Sequence, residues 1–550
     1  SIGAADIEVV RMEHDRAASL QQQFGHRAHI EHDAVLQHGP VGALSPASAS
    51  PSIGFSPSAS GRFAVSLTVV GTGNAPVEGV SVTIFGSQGN GVGVTGPDGR
   101  TQIALGAETP DTIIGLVASP RADYWMTWIR SPLLDPARNN VVPLLPLAEE
   151  FPDFPQHELA GWGLAAMGAD RLSGSLLGQG VKVGVIDSGI AGDHRDLAGQ
   201  VEGGVSVVDA DPSAWNQDEE GHGTHVAGII AGLANSGGIR GIAPGVKLRA
   251  YKIFPGGRFS DLVNALDHCI QDQVDVVNLS LGTAETSELV DQRILLAKQQ
   301  GVACVVAAGN SSGPVMFPGS SPQVMTVAAI GQRGTFPDGS WHVNDPVVGN
   351  GIGITPDGYF SPTFSCFGPE VRICAPGVAV VSSFPPNNYA ALDGTSMAAP
   401  YVTGLAALVL AHHPDFQGAY RARNAARVDR LFQILMEGSR PLTLGDPAAS
   451  AVRVGAGLAS VASVTLQPQT APAAVLAPAW ATPRFATAAA PGAALRPSAL
   501  SQADLVNIIS GVVAAVAQAL PGQGPGQPAG GGFVNGDATL EDVVVTSRFG

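Results

Sequence analysis

Two different patterns of apolar and polar positions divide the middle of the chain. Between about residues 62 and 148, short runs such as FAVSLTVV, VSVTIFG and TQIALG alternate apolar with polar positions, with turn residues such as PDG at 97–99 between them. Alternation of this kind predicts strands with one buried face, and several in succession predict a small antiparallel β-sandwich. From about 160 to 465 the apolar runs are nearly continuous: VKVGVID, LRAYKI, VDVVNLSLG, VACVVAAGN and VMTVAAI. Between them, THVAGIIAGLA, SDLVNALDHCIQD and DQRILLAKQQ carry apolar residues at helical spacing. Strands apolar on both faces and joined by helices predict a doubly wound, mostly parallel sheet, one large α/β domain preceded by the all-β one.

The ends follow neither pattern. Residues 1–40 offer a strand-like DIEVVRM, a helix-like DRAASLQQQFG and a strand-like AHIEHDAVL. Residues 41–61 and the Ala/Pro-rich 466–500 have linker composition. Leu505, Ile508, Ile509, Val512, Val516 and Leu520 recur at helical spacing and predict a docking helix over 501–521, followed by a Gly-rich tail over 522–550. No uninterrupted run of eighteen apolar residues occurs, so a membrane span is not expected.

Composition sharpens this. The chain has 70 Gly and 41 Pro among 550 residues, and only 14% charged residues. Typical soluble domains carry roughly 25% charge. These values exclude a coiled coil, a helical bundle and a charge-rich disordered chain. A net charge of −17 excludes the basic face of a nucleic-acid binder. The four cysteines lack zinc spacing, and only Cys366 and Cys374 are near enough in sequence to suggest a bridge.

Three segments put a reactive side chain where a predicted element begins or ends. Asp187 closes VKVGVID, His222 opens an apolar helix in GHGTHVAG, and Ser396 stands at the first turn of another in GTSMAAP. A serine hydroxyl is a poor nucleophile without a histidine base, and that base needs a carboxylate to fix its tautomer. His225 lies on the same helical face as His222 and reads as a packed histidine, since no third metal ligand accompanies the pair. His26, His29, His32, His412 and His413 show no interpretable spacing and are expected to be solvated.

On VGVIDSGI, HGTHVAG, VVNLSLG, VVAAGN and GTSMAAP, in that order, residues 160–465 resemble the subtilisin-like serine proteases of the subtilase family. The resemblance implies that Ser396 attacks the scissile carbonyl, His222 is general base and then acid, Asp187 orients it and Asn310 donates to the oxyanion. It further implies that Ser280-Leu281-Gly282 and Ala307-Ala308-Gly309 wall the primary specificity pocket. Met316 then falls where a glycine commonly leaves the floor open, which implies a shallow pocket for small or medium apolar residues. No cofactor is required for the chemistry. A structural Ca2+ is implied at Asp196 and Asn235 with the carbonyls of Leu233, Gly237 and Ile239, an empty tight turn being the alternative.

Residues 1–40 resemble the closing part of a subtilase propeptide, which implies a zymogen whose partners are a protein or peptide substrate and its own propeptide. PVEGVSVTIFGSQGNGVGVTGPDGRTQIAL resembles carboxypeptidase-regulatory and collagen-adhesin B-type sandwich modules, commonly spacers or adhesion domains. LEDVVVTSRFG is similar to the plug-entry segment of TonB-dependent outer-membrane proteins and suggests a docking or processing peptide. A partner of the β-sandwich or the C-terminal helix, and a secreted or periplasmic location, are further expectations. Residues 331–362 exceed the usual family connection and read either as a solvated hairpin or as a lid or exosite near the groove. Two other functions stay open: a processing protease dedicated to one partner or precursor, and a catalytically silent binding scaffold.

Overall fold

The computed structural model describes residues 7–24, 28–38, 62–106, 108–151, 153–465 and 540–547. The chain opens with strand β1 (Ile7–Glu13), helix α1 (His14–Phe24), strand β2 (Ala28–His32) and the two-residue strand β3 (Gln37–His38). Leu20 of α1 is buried with Met12 of β1 and Ile30 of β2. These two strands do not pair with each other.

Next come β4 (Arg62–Val70), β5 (Ser81–Gly86), β6 (Asn90–Val94), β7 (Arg100–Gly106), β8 (Ile113–Ser119), β9 (Thr127–Arg130) and β10 (Asn139–Pro143). They form one sheet in the order β10-β4-β7 and another in the order β6-β5-β8-β9. Val65, Leu67, Val82, Ile84, Ile103 and Leu116 from both sheets share one buried cluster, as their alternation requires. One pairing departs from the antiparallel expectation, because β10 runs parallel to β4. The long connection after β9 returns the chain in the direction of β4, which a tight hairpin could not do.

The large sheet uses β11 (Lys182–Asp187), β12 (Val201–Ser206), β13 (Lys247–Lys252), β14 (Val276–Leu279), β16 (Ala303–Ala307), β17 (Met325–Gln332), β18 (Tyr359–Phe360) and β19 (Ile373–Pro376). A short β15 (Leu281–Gly282) follows β14. The order is β12-β13-β11-β14-β16-β17-β18, with β19 also on β17, and every pairing except β17–β18 is parallel. Helices α2 (His222–Ala231), α3 (Phe259–Gln271), α4 (Glu288–Gln299) and α5 (Thr395–His412) cover it. The continuous apolar runs are thus strands buried on both faces. Among the described residues α5 is the one helix long and apolar enough to cross a membrane, yet 89% of its apolar window is buried in this core.

Residues 331–362 are not wholly solvated, since Ser340, His342, Asp345 and Ser361 are buried. They are wedged between the small sheets and the large domain: Trp341 N–H donates to Met126 O (2.9 Å), Trp128 N–H donates to Gly339 O (3.1 Å), and the two indoles meet edge to face. Aromatic side chains inside this segment find apolar partners on both sides, so burial wins over solvation.

The C-terminus corrects the tail reading. Leu540–Ser547 is a strand, β20, that returns to the front of the chain and lies between β1 and β2. The predicted helix over 501–521 and the linkers over 41–61 and 466–500 fall outside the described residues, apart from the edges already given. All four cysteines are free and buried, so Cys366 and Cys374 are unbridged.

Candidate active site

Functional side chains gather at the carboxyl edge of the large sheet, where an α/β fold leaves its loops. Asp187 ends β11, and His222 starts α2. His222 Nδ1 and Asp187 Oδ1 are 2.7 Å apart with both side chains buried. Glycines make this approach feasible: Gly221 turns the chain at φ 81°, and a Cβ on Gly223 would lie 2.1 Å from Gly189 O. Asp218 caps α2, accepting from Gly221 N (2.8 Å), Thr224 N (2.8 Å) and Thr224 Oγ1 (2.5 Å). It also accepts from Ser188 Oγ (2.8 Å), which in turn accepts from Gly223 N (2.9 Å).

The pair polarises itself. Burial alone would lower the His222 pKa, but the Asp187 carboxylate, by charge and hydrogen bond, holds it above the ordinary value. Burial likewise pulls Asp187 up, and His222 more than offsets it, so Asp187 stays below the usual carboxylate range. His222 Nε2 is buried and makes no hydrogen bond, so this nitrogen is left unengaged.

Ser396 lies in the first turn of α5, two residues after Gly394, and is only 3% exposed. Its Oγ donates to Ser280 O (3.4 Å), while Ser280 Oγ donates to Ser396 O (2.9 Å). Asn278 Nδ2 donates to Ser280 Oγ (2.9 Å), and Asn278 Oδ1 accepts from Thr403 Oγ1 (2.9 Å), tying the strand end to α5. Because Ile186 pairs with Leu279 in register, Asp187 and Ser280 follow side by side. Asn310 Oδ1 accepts from Thr395 N (2.9 Å) and Thr395 Oγ1 (2.8 Å), which fixes the amide beside the turn that carries Ser396.

The predicted groove is filled by the chain's own N-terminal segment. Gln37 and His38 pair antiparallel with Gly282 and Leu281. On the other side, Leu36 N–H donates to Gly257 O (2.9 Å) and Phe259 N–H to Ala34 O (3.1 Å). Residues 34–38 therefore lie as an added strand between two walls, the way extended peptides bind. Leu36 is buried with Phe254, Phe259 and Leu281. The His38 ring sits 3.8 Å from the Phe254 ring centroid and 5.0 Å from that of His222, and His38 Nε2 is 2.7 Å from Glu220 Oε2.

Two carboxylates of the same segment cap catalytic-domain helices. Asp33 accepts from Ser260 N (2.9 Å) and Ser260 Oγ (2.8 Å) at the start of α3. Glu31 accepts from Glu288 N (3.1 Å) and from the Ser287 hydroxyl at the start of α4. Each supplies an acceptor where helix N–H groups lack one, and negative charge at a positive dipole end.

Ser280, Leu281 and Gly282 and, from a neighbouring strand end, Ala307, Ala308 and Gly309 are all buried. Met316 N–H donates to Ala308 O (2.9 Å). Its side chain reaches both walls: a Cβ would lie 2.6 Å from Met316 Cγ at Gly309 and 3.2 Å from Met316 Cβ at Gly282.

At the metal candidate, Asp196 is fully buried and lies beside the 233–239 loop. Oδ2 accepts from Ile239 N (2.9 Å), and Oδ1 has no hydrogen-bond partner. Arg195 Nε approaches Oδ1 at 3.8 Å. Burial raises the pKa of this carboxyl. The carbonyls of Leu233, Gly237 and Ile239 take part in none of the described backbone hydrogen bonds. A buried carboxylate, beside the Tyr389 hydroxyl and near uncommitted carbonyls, has the oxygen donors that a hard cation takes. Asn235 is not gathered in: it is exposed, and its Oδ1 accepts from Gly237 N (3.3 Å).

The other histidines divide. His225 is buried, its Nε2 3.0 Å from both Val380 O and Ala390 O, and burial lowers its pKa to about 3, so it stays neutral and structural. His413 is not solvated: it is fully buried and accepts from Asp415 N through Nδ1 (3.2 Å). His412 Nε2 accepts from Gly178 N (3.1 Å). His29 is mostly buried beside Glu31, and His32 is 2.7 Å from Glu285. His26 lies outside the described residues.

Sequence reasoning missed a second buried cluster. His342 Nδ1 is 2.8 Å from Asp393 Oδ2, Asp393 Oδ1 accepts from Ala379 N (2.6 Å), and Asp345 lies alongside. Asp393 stands three residues before Ser396. Burial, reinforced by the adjacent Asp393 carboxylate, pushes the Asp345 pKa up to about 10, so it is protonated at neutral pH. The Asp-Gly before Thr395-Ser396 carried no signal of a histidine partner fifty residues upstream. Glu31, Asp33, Glu220 and His38 were equally invisible, because each acts across sequence distance. Asp218, a carboxylate shortly before an apolar helix, was the one with a local signature.

The subtilase family matches residues 178–453. Subtilisin DY of Bacillus licheniformis is 38% identical over 267 residues, which are 48% of this chain and 88% of that protein. Subtilisin Savinase of Lederbergia lenta is 37% identical over 260 residues, 46% of this chain and 86% of that protein. A thermostable alkaline protease of Halalkalibacterium halodurans is 35% identical over 260 residues, 46% of this chain and 64% of that protein. The chain belongs to the subtilase family and is a subtilisin-like serine endopeptidase.

Proposed function

We propose that the protein hydrolyses peptide bonds in extended protein segments through an acyl-enzyme, with Ser396 as nucleophile, His222 as general base and then acid, and Asp187 holding His222 in the required tautomer. The observation that carries this reading is the buried 2.7 Å Asp187–His222 contact with Nε2 left unengaged. Ser396 is bound to Ser280, next to Leu281, and Leu281 pairs with the same His38 whose ring stands beside His222. One short peptide thus touches both sides of the proposed machinery. The tetrahedral oxyanion would take the Ser396 N–H and the Asn310 amide, donors fixed before the charge develops.

The bound segment 33–38 supports a zymogen. It fills the groove as substrate would, so hydrolysis in trans requires that it leave. The Met316 side chain between the two walls supports a shallow primary pocket. A Ca2+ at Asp196 with the Leu233, Gly237 and Ile239 carbonyls would tie two loops together and supply no step of the chemistry; excess chelator should then lower the melting temperature. Asn235 is left out of that set because it faces solvent. The sheets over 62–143 read as a β-sandwich of carboxypeptidase-regulatory type that spaces the inhibitory segment from the protease. A secreted or cell-envelope location suits a protease that carries its own inhibitor.

The test is hydrolysis of a casein-derived unfolded substrate by the chain lacking residues 1–40, against the same chain with Ser396→Ala. Loss of at least ~10³-fold on substitution supports the reading.

A further inference from the structure

The strand order β1-β20-β2 has a consequence for control of the enzyme. β20 pairs antiparallel with β1 from Ile7↔Thr546 to Glu13↔Leu540, and antiparallel with β2 from Ala28↔Ser547 to His32↔Val543. It is the central strand, and β1 and β2 meet only through it. Its two faces are both used. Val543 is buried with Met12, Leu20 and Ile30, under α1. Val544, on the opposite face, is fully buried in the cluster that holds Leu36, Phe259 and Leu289.

Removing β20 would leave β1 and β2 two strand spacings apart, roughly 10 Å, with ladder groups on both facing edges unpaired. A helix and two non-adjacent strands have no core of their own, and even a paired hairpin is marginal in water. The segment that enters the groove continues directly from β2. Glu31, on β2, and Asp33, one residue beyond it, are aimed at α4 and α3 by that strand.

We propose that the C-terminal strand is a detachable part of the inhibitory unit, and that the gap between β1 and β2 is a strand-acceptor site whose partner is this chain's own Leu540–Ser547. Latency is then set from both ends of the chain. Cutting the connection after residue 465 and losing the tail loosens the grip of residues 33–38 on the groove without any cut near the N-terminus. This rests on the proposed autoinhibition.

The experiment compares three chains on an unstructured peptide substrate: full length, one ending at residue 532, and one lacking residues 1–40. The expected result is at least tenfold higher basal activity for the chain ending at 532. A synthetic peptide of residues 537–550 should restore latency saturably, and a scrambled peptide should not. A chain ending at 532 that is as latent as full length, while removal of 1–40 activates, overturns the proposal and spares autoinhibition. No activation by removal of 1–40 overturns autoinhibition and the proposal with it. Should truncation impair folding, Val544→Asp in a full-length Ser396→Ala chain decides by hydrogen exchange. Faster exchange confined to residues 7–38 supports the proposal, and unchanged protection there contradicts it.

Discussion

The imidazole of His38 stands 5.0 Å from that of His222, held there by the Phe254 ring and the Glu220 carboxylate. In the proposed mechanism a residue of the segment that fills the groove thus covers the general base directly. Leu36→Ala empties a pocket that Phe254, Phe259 and Leu281 enclose, a truncation that typically costs about 2–5 kcal/mol. The full-length variant should show basal activity raised by roughly thirtyfold or more. Unchanged latency, measured by peptide hydrolysis, would place the inhibitory contact elsewhere.

The acid limb of kcat/KM follows from His222. A general base must be neutral, and Asp187 holds His222 above its ordinary pKa, so activity should rise with pH through a midpoint above ~6.5. Asp187→Asn removes the charge that raises it. Its midpoint should move down while kcat falls by about 10⁴, since the wrong tautomer is then favoured.

The proposed shallow pocket rests on Met316. Met316→Gly takes away the side chain that reaches Gly282 and Gly309. A P1 peptide library should then shift toward Phe and Tyr relative to the parent enzyme. An unaltered preference would mean that the floor lies elsewhere.

Asp345 offers a stability test with a definite sign. Its pKa is about 10 in the folded chain and near 3.9 when unfolded. Between those values the unfolded chain gives up the proton and the folded chain keeps it, so this group's contribution to stability falls as pH rises. Asp345→Asn keeps the shape of the protonated carboxyl and removes that loss. Melting curves should show the variant gaining on the parent from pH 5 to pH 8. By contrast, His342→Ala strips the partner of the buried Asp393 and should destabilise by about 3–5 kcal/mol.

Local chemistry was legible in the sequence. Continuous apolar runs such as VKVGVID announced buried parallel strands, and Asp187, His222 and Ser396 each sat at an element boundary visible in the pattern. What was not legible depended on partners far along the chain. LEDVVVTSRFG reads as a generic β-forming tail, and only pairing with Ile7–Glu13 and Ala28–His32 gives it a place. The segment 331–362 reads as turns, because the value of Trp341 and His342 depends on Trp128 and Asp393. Asn235 matched a ligand pattern, yet its side chain satisfies its own loop first.

The central claim is that Ser396 is the nucleophile of an endopeptidase. Its most direct test is cleavage of a denatured protein by the chain lacking residues 1–40, with and without Ser396→Ala, followed by mass spectrometry of the fragments. Internal cuts by the parent and none above background by the variant are expected. Equal cleavage by both chains, or cleavage by neither, would contradict it.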